Sequence, residues 1–99
     1  MNNSESEDRA ATSSPKLDFK AFPNPTTGRL TIQLPPSSIS DYQLYIHDML
    51  GRRMYQQEVD RASTSVEVNM MDYDNGVYYI ELRAAGMRSI QKVVKQGLE

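Results

Sequence analysis

Short runs of alternating hydrophobic and polar residues extend from residue 17 to residue 94 and predict β-strands. The clearest is residues 29–34, where Leu30, Ile32 and Leu34 alternate with polar side chains. Such alternation places the apolar side chains on one face of a strand and the polar ones on the other. On this basis the predicted strands are residues 17–22, 29–34, 42–47, 52–59, 63–68, 76–83 and 89–94.

Turn-forming residues separate these runs at intervals of about 8–12 positions, which is typical of an all-β sandwich or barrel. Gly51 is expected to take a left-handed conformation, and Ala85-Gly86 suits a short hairpin. No window sustains the 3.6-residue period of an amphipathic helix. We therefore predict an all-β fold, an antiparallel, immunoglobulin-like β-sandwich of about seven short strands.

The segment before the first predicted strand has a different composition. Residues 2–14 contain no large apolar side chain, so they cannot bury enough surface to offset the cost of ordering the backbone. Residues 1–16 are therefore predicted to be a disordered linker and residues 17–96 one domain. Residues 97–99 are expected to be a short tail.

Composition excludes several classes of function. The chain has 99 residues, a formal net charge of -2, no cysteine and one histidine. Nucleic-acid binders depend on Lys and Arg to neutralise phosphates, and this charge balance does not favour one. Disulfides, thiolate metal sites and histidine-cluster zinc sites are excluded. No apolar run approaches the roughly 18 residues that span a bilayer.

Catalytic and metal-binding patterns are weak. His47 is the candidate general base, but the neighbouring Asp48 points elsewhere, so we expect a solvated surface histidine. Asp72 and Asp74 resemble half of a calcium loop without its full spacing or terminal glutamate, and are expected to cap a turn. The sequence therefore predicts no enzyme, no metal and no cofactor.

Two other features each allow two interpretations. The six tyrosines could line a carbohydrate- or peptide-binding face, or they could cap the ends of a thin core. The cationic residues near the end of the chain could protect an edge strand from aggregation, or they could dock an acidic partner. These cations are Arg83, Arg88, Lys92 and Lys95.

Four motifs in order resemble the type A C-terminal sorting domain of the type IX secretion system of Bacteroidetes. They cover about four-fifths of the chain, and two positions depart from the usual pattern: His47 and Tyr73 stand where that family commonly has tyrosine and leucine. The motifs are Phe22-Pro23-Asn24-Pro25, His47-Asp48-Met49-Leu50-Gly51-Arg52, Tyr73-Asp74-Asn75-Gly76-Val77-Tyr78 and Lys92-Val93-Val94-Lys95-Gln96.

The resemblance implies a secretion signal that directs a larger, preceding cargo protein across the outer membrane to the cell surface or the medium. It implies as partners the type IX outer-membrane translocon and a sortase-like peptidase that cuts the linker and attaches the cargo to the surface. We place the cut at Ala10, Ala11, Thr12 and Ser13, and the signal at Lys92, Val93, Val94, Lys95 and Gln96. The fold-forming motif residues are Pro23, Asn24, Pro25, Asp48, Gly51, Arg52, Gly76 and Tyr78.

The sequence leaves two other functions open. One is a carbohydrate- or surface-binding β-sandwich module of a secreted protein, and another is a purely structural spacer. Exposed edge strands also leave open a homodimer.

Overall fold

The computed structural model describes residues 17–35 and 40–97, so the predicted linker (residues 1–16), its cleavage region and residues 98–99 lie outside the described residues. Within them the chain forms seven strands separated by turns. They are β1 (Lys20–Phe22), β2 (Arg29–Gln33), β3 (Tyr42–Asp48), β4 (Arg53–Val59), β5 (Ser65–Asn69), β6 (Gly76–Ala84) and β7 (Met87–Lys95).

The strands form two sheets. One has three strands in the order β1-β2-β5, and the other has four in the order β4-β3-β6-β7. All neighbouring strands are antiparallel, and the longest pairing joins β6 to β7 along nine residue pairs. The prediction of an all-β antiparallel sandwich is confirmed. Strands β4 and β7 are the edges of the larger sheet.

The core consists of the side chains that alternate inward from both sheets, as the sequence pattern predicts. Leu30 and Ile32 of β2 are buried against residues from all the strands of the larger sheet. Leu17 and Phe19 are also buried, although the chain pairs as a strand only from Lys20 onward. The fully buried apolar side chains are Leu30, Ile32, Tyr42, Leu44, Ile46, Met70, Ile80, Leu82 and Val93.

Strand β7 begins two residues earlier than predicted because the β6–β7 turn is tight. Ala85 (φ 53°) and Gly86 (φ 78°) are both left-handed, as a two-residue hairpin turn requires. Ala84 and Met87 can therefore pair directly at the turn. Gly51 also has a positive φ, of 82°, which confirms the prediction for that turn.

Tyr45 lies on the outer face of β3, between inward-facing Leu44 and Ile46, yet it is only 5% exposed. The guanidinium of Arg53 lies 4.3 Å from the ring centroid, and that of Arg83 lies 5.2 Å away. Cations over an aromatic face are attracted by the ring quadrupole, and their stems cover the ring from water. Arg53 and Arg83 therefore cover part of the outer face of the larger sheet.

We predict that Ile80→Ala lowers the free energy of unfolding by about 2–5 kcal/mol, because Ile80 is fully buried in β6. The matched control is Ile90→Ala on the adjacent strand β7, where the side chain is 49% exposed and the loss should stay below about 1 kcal/mol. Urea unfolding followed by circular dichroism measures both. Equal losses in the two variants would contradict the assignment of inner and outer faces.

Candidate functional site

The sandwich brings the four sequence motifs together at one end. Strand pairing places Asp48 of β3 opposite Tyr78 of β6, and Tyr78 opposite Val93 of β7. Gly76 pairs with Lys95, and Lys95 in turn forms an isolated parallel bridge with Thr26. Motifs that are up to 70 residues apart along the chain thus meet around the second half of β7.

Residues 24–26 form a short parallel neighbour for β7, which we name the clasp. The Asn24 side chain donates from Nδ2 to the Lys92 carbonyl and accepts at Oδ1 from the Val94 N–H, both at 3.0 Å. The Thr26 N–H donates to the Val94 carbonyl, and the Gln96 N–H donates to the Thr26 carbonyl, both at 2.9 Å. The side-chain amide of Asn24 and the backbone of Thr26 therefore bond edge groups of β7 that no neighbouring strand reaches.

Thr26 fixes the clasp to the body of the domain. Its side chain is 1% exposed, and its hydroxyl donates to the Arg29 carbonyl at 2.6 Å. The same hydroxyl accepts from the Gly28 N–H at 3.0 Å, so both of its roles are satisfied. The peptide bonds before Pro23 and Pro25 are both cis. Asn24 of the proline motif is part of the clasp, so this motif helps to cover the outer edge of β7.

The five predicted signal residues differ in accessibility. Val93 is fully buried in the core, and Lys95 is 6% exposed with its Nζ donating to the Tyr73 carbonyl at 3.0 Å. Val94 is half-buried, whereas Lys92 and Gln96 are exposed. A partner that meets the folded domain therefore has access to Lys92 and Gln96, while the other three hold the strand in place.

The turn after β3 is closed by Asp48. Its Oδ1 accepts from the N–H groups of Leu50 and Arg52, both at 2.9 Å, and its Oδ2 lies 2.6 Å from Nε of Arg52. Burial acts to raise the pKa of the Asp48 carboxyl, but these hydrogen bonds and the Arg52 charge outweigh it and lower the pKa. The Asp-x-x-Gly-Arg motif thus has a structural role that follows from its geometry.

The loop before β6 is tied down by Tyr78. Its hydroxyl donates to the Asp74 carbonyl at 2.7 Å, and its ring packs against Tyr73 with centroids 5.4 Å apart. Burial, followed by the negative charges of Asp74 and Asp48, raises the pKa of Tyr78. Tyr73 therefore fills the position of the usual leucine with an aromatic contact, and its carbonyl accepts from buried Lys95.

The outer face of the larger sheet carries an ion cluster that the sequence analysis missed. Glu81 of β6 is 3% exposed; Nε2 of His47 lies 2.9 Å from its Oε1, and Nε of Arg83 lies 2.7 Å from its Oε2. Arg88 lies 3.7 Å from Oε2. The expectation of a solvated His47 is wrong, because a neighbouring strand supplies a carboxylate. The sequence held one indication of this cluster, because Glu81 is a single acidic residue within the apolar run of residues 77–82.

Burial alone would raise the pKa of the Glu81 carboxyl. The hydrogen bonds from Arg83 and His47, together with the charges of Arg83 and Arg88, outweigh burial and lower the pKa below its usual value. Glu81 therefore remains ionised beneath its arginines near neutral pH. The cluster stabilises the sheet and leaves an excess of positive charge on this face.

The tyrosines do not form an open aromatic platform. Tyr42, Tyr45 and Tyr78 are at most 5% exposed, and Tyr79 reaches 37%. The remaining two, Tyr55 and Tyr73, are partly buried and pack against the core. This arrangement supports the interpretation that the tyrosines complete a thin core.

Within residues 17–35 and 40–97 no three His, Asp or Glu side chains are grouped to hold a metal ion. Asp72 and Asp74 are exposed on the rim of a cleft of about 300 Å³ beside Met49 and Leu50. In the same ranges no helix has the length and apolar character to cross a membrane.

Comparison with known families matches residues 20–96 to the family described as "secretion system C-terminal sorting domain". This range covers all seven strands, the clasp and the terminal motif. A comparison with curated proteins gave no match.

Two solved structures share the fold. One is a DUF3244 family protein with an immunoglobulin-like β-sandwich fold from Bacteroides vulgatus, with a TM-score of 0.67 and 17% identity over 79% of this chain and 83% of that chain. The other is a computationally redesigned β-sandwich protein, with a TM-score of 0.61 and 15% identity over 88% of this chain and 100% of the other. At these identities the likeness extends to the fold alone.

We predict that Asn24→Ala accelerates hydrogen exchange at the Val94 amide by about fivefold, because a lost hydrogen bond costs about 1 kcal/mol. The internal control is the Val93 amide, which points toward β6 and does not meet the clasp. Amide exchange measured by NMR resolves the two residues. Equal acceleration at both would indicate general destabilisation and contradict a local role for Asn24.

We predict that Glu81→Gln flattens the acid limb of the stability profile. A carboxyl with a lowered folded pKa adds stability above its unfolded pKa of about 4.3, and this is lost as pH falls through the folded pKa. The free energy of unfolding should therefore fall less between about pH 5 and about pH 3 in the variant than in the wild type. Urea titrations across this range measure it, with Glu58→Gln, an exposed carboxyl on β4, as the matched control.

Proposed function

Since the chain belongs to the family of secretion system C-terminal sorting domains, we propose that the second half of β7 is the part of it that the export machinery recognises. Membership of this family implies a type IX sorting signal, interaction with the type IX machinery, and export to the cell surface or extracellular space. The proposal adds which residues carry the signal.

The observation that supports it is the convergence of the motifs on one strand. The clasp, buried Thr26 and the Lys95–Tyr73 hydrogen bond all hold residues 92–96 in a fixed conformation. A recognition element gains affinity when it is ordered before binding, because the entropy cost has already been met. Lys92 and Gln96 are the side chains that this arrangement presents to solvent.

Cleavage and surface attachment form a second part of the proposal. A sortase-like peptidase would cut the segment before the sandwich, at residues 10–13, and join the cargo to an anionic lipopolysaccharide of the outer membrane. The support is the family resemblance and the small side chains of Ala10, Ala11, Thr12 and Ser13, which fit a protease cleft in an extended conformation.

The proposed role is targeting without catalysis. His47, the candidate base of the sequence analysis, is bound to Glu81, and Arg83 holds the same carboxylate. These side chains lie on the face of a sheet, where the ring of Tyr45 stacks on His47 and the Tyr45 hydroxyl donates to Oε1 of Gln43. A carbohydrate-binding function would call for exposed aromatic rings, and five of the six tyrosines are buried or partly buried.

The test is an export assay in a type IX-competent host. A fluorescent reporter with a signal peptide carries residues 2–96 at its C-terminus, in the wild-type form and as Lys92→Glu. We expect export of the wild type and about a tenfold loss with Lys92→Glu, as a charge reversal that costs about 1.4 kcal/mol would give. The matched control is Lys20→Glu, an exposed strand lysine of β1, which should be exported normally.

A substitution is used because a truncation after Ile90 would remove fully buried Val93 and unfold the domain. Circular dichroism of each purified domain confirms folding. Periplasmic retention of the folded wild type would overturn the sorting function, and normal export of Lys92→Glu would overturn the role of β7 side chains. Mass spectrometry of the released domain tests cleavage, because its new N-terminus should lie within residues 10–13.

A further inference from the structure

The outer edge of β7 has two halves, and in the described residues the clasp covers only the second of them. Alternate residues of an edge strand turn their N–H and C=O groups away from the sheet. The bonds to the clasp show that Val94 and Gln96 are among them, so Arg88, Ile90 and Lys92 also turn their N–H groups outward. In the part of the chain that the structure describes, the clasp covers this edge only from the Lys92 carbonyl onward.

The uncovered half borders an open cleft of about 340 Å³. Its walls are β7 at residues 88–91 and the segment at residues 17–19. The side chain of Gln91 donates to the Phe19 carbonyl and so links the two walls of the cleft. The geometry therefore leaves room beside the edge for another backbone.

The side chains along this half are cationic and apolar. Arg88, Ile90 and Lys92 share the outer face of the sheet, and all three are exposed. Glu81, the carboxylate opposite Ile90, already contacts two guanidiniums and His47, so positive charge remains in excess. Asp18 supplies a carboxylate on the opposite wall of the cleft. The side chains that an incoming strand places on the outer face of the sheet would therefore lie beside Arg88 and Lys92.

A second copy of this chain is a poor occupant. If two β7 edges paired antiparallel about Ile90, Arg88 of one copy would stand opposite Lys92 of the other. Like charges directly opposite each other on one face of a sheet are destabilising. An extended segment with carboxylates at alternate positions would instead pair favourably with both cations and with the free backbone groups.

We infer that an extended, acidic segment of the type IX machinery adds to the larger sheet as a fifth strand along residues 88–92 of β7. This inference rests on the proposed function and adds to it a backbone contact on the first half of β7, which meets the signal residues 92–96 at Lys92. The clasp sets the limit of the added strand, because it occupies the Lys92 carbonyl and the positions beyond it. Backbone pairing supplies affinity, and Arg88 and Lys92 select for acidic side chains.

The test uses proline to remove one outward N–H. Ile90→Pro deletes the donor that the added strand needs, and proline is tolerated on an edge strand where the N–H faces solvent. Ile90→Thr is the matched variant, since it changes the side chain and keeps the N–H. In the export assay we expect Ile90→Pro to lose export by about tenfold or more and Ile90→Thr to lose less than about threefold.

Thermal unfolding of both purified variants, and light scattering of the wild type, complete the design. Export of a folded Ile90→Pro at the wild-type level would overturn the inference while leaving the sorting function intact. Equal losses with proline and threonine would also overturn it, in favour of recognition through the side chain. A wild-type dimer that Ile90→Pro converts to a monomer would show self-pairing instead. Failure of the wild type itself to be exported would count against the sorting function.

Discussion

The backbone groups on the outer edge of β7 are the constraint on which much of this domain depends. A strand at the edge of a sheet has N–H and C=O groups that no neighbouring strand satisfies, and such an edge invites uncontrolled pairing. Here a side-chain amide from Asn24 and the backbone of Thr26 satisfy the second half of that edge. The proline-rich motif, whose Asn24 lies 70 residues before Val94 in sequence, is thereby part of the same structure as the terminal motif.

Residues of the family motifs divide into those that hold the terminal strand and those that it presents. Asp48 closes a turn, Tyr78 fixes a loop, and Val93 and Lys95 are buried. Lys92 and Gln96 remain at the surface. In the terminal motif, therefore, Val93 and Lys95 act through the fold, and the side chains of Lys92 and Gln96 are left exposed.

The sequence predicted the strands well because one physical rule, alternation toward a single core, determines them. It also led to the right family, since the motifs occur in a fixed order. It did not predict the burial of Lys95 or the pairing of His47 with Glu81, because both depend on which strands become neighbours. The bond between Asn24 and β7 joins residues 70 positions apart, and no local pattern encodes such a contact.

Strand β7 follows the other six along the chain, and its Val93 is fully buried between the sheets. The clasp has nothing to bind until this strand is in place. A product that ends before β7 therefore lacks both a complete core and the residues that the clasp binds. The order of the strands thus makes folding depend on translation through β7, so that a chain cut short before this strand has an open core in place of a folded sorting domain.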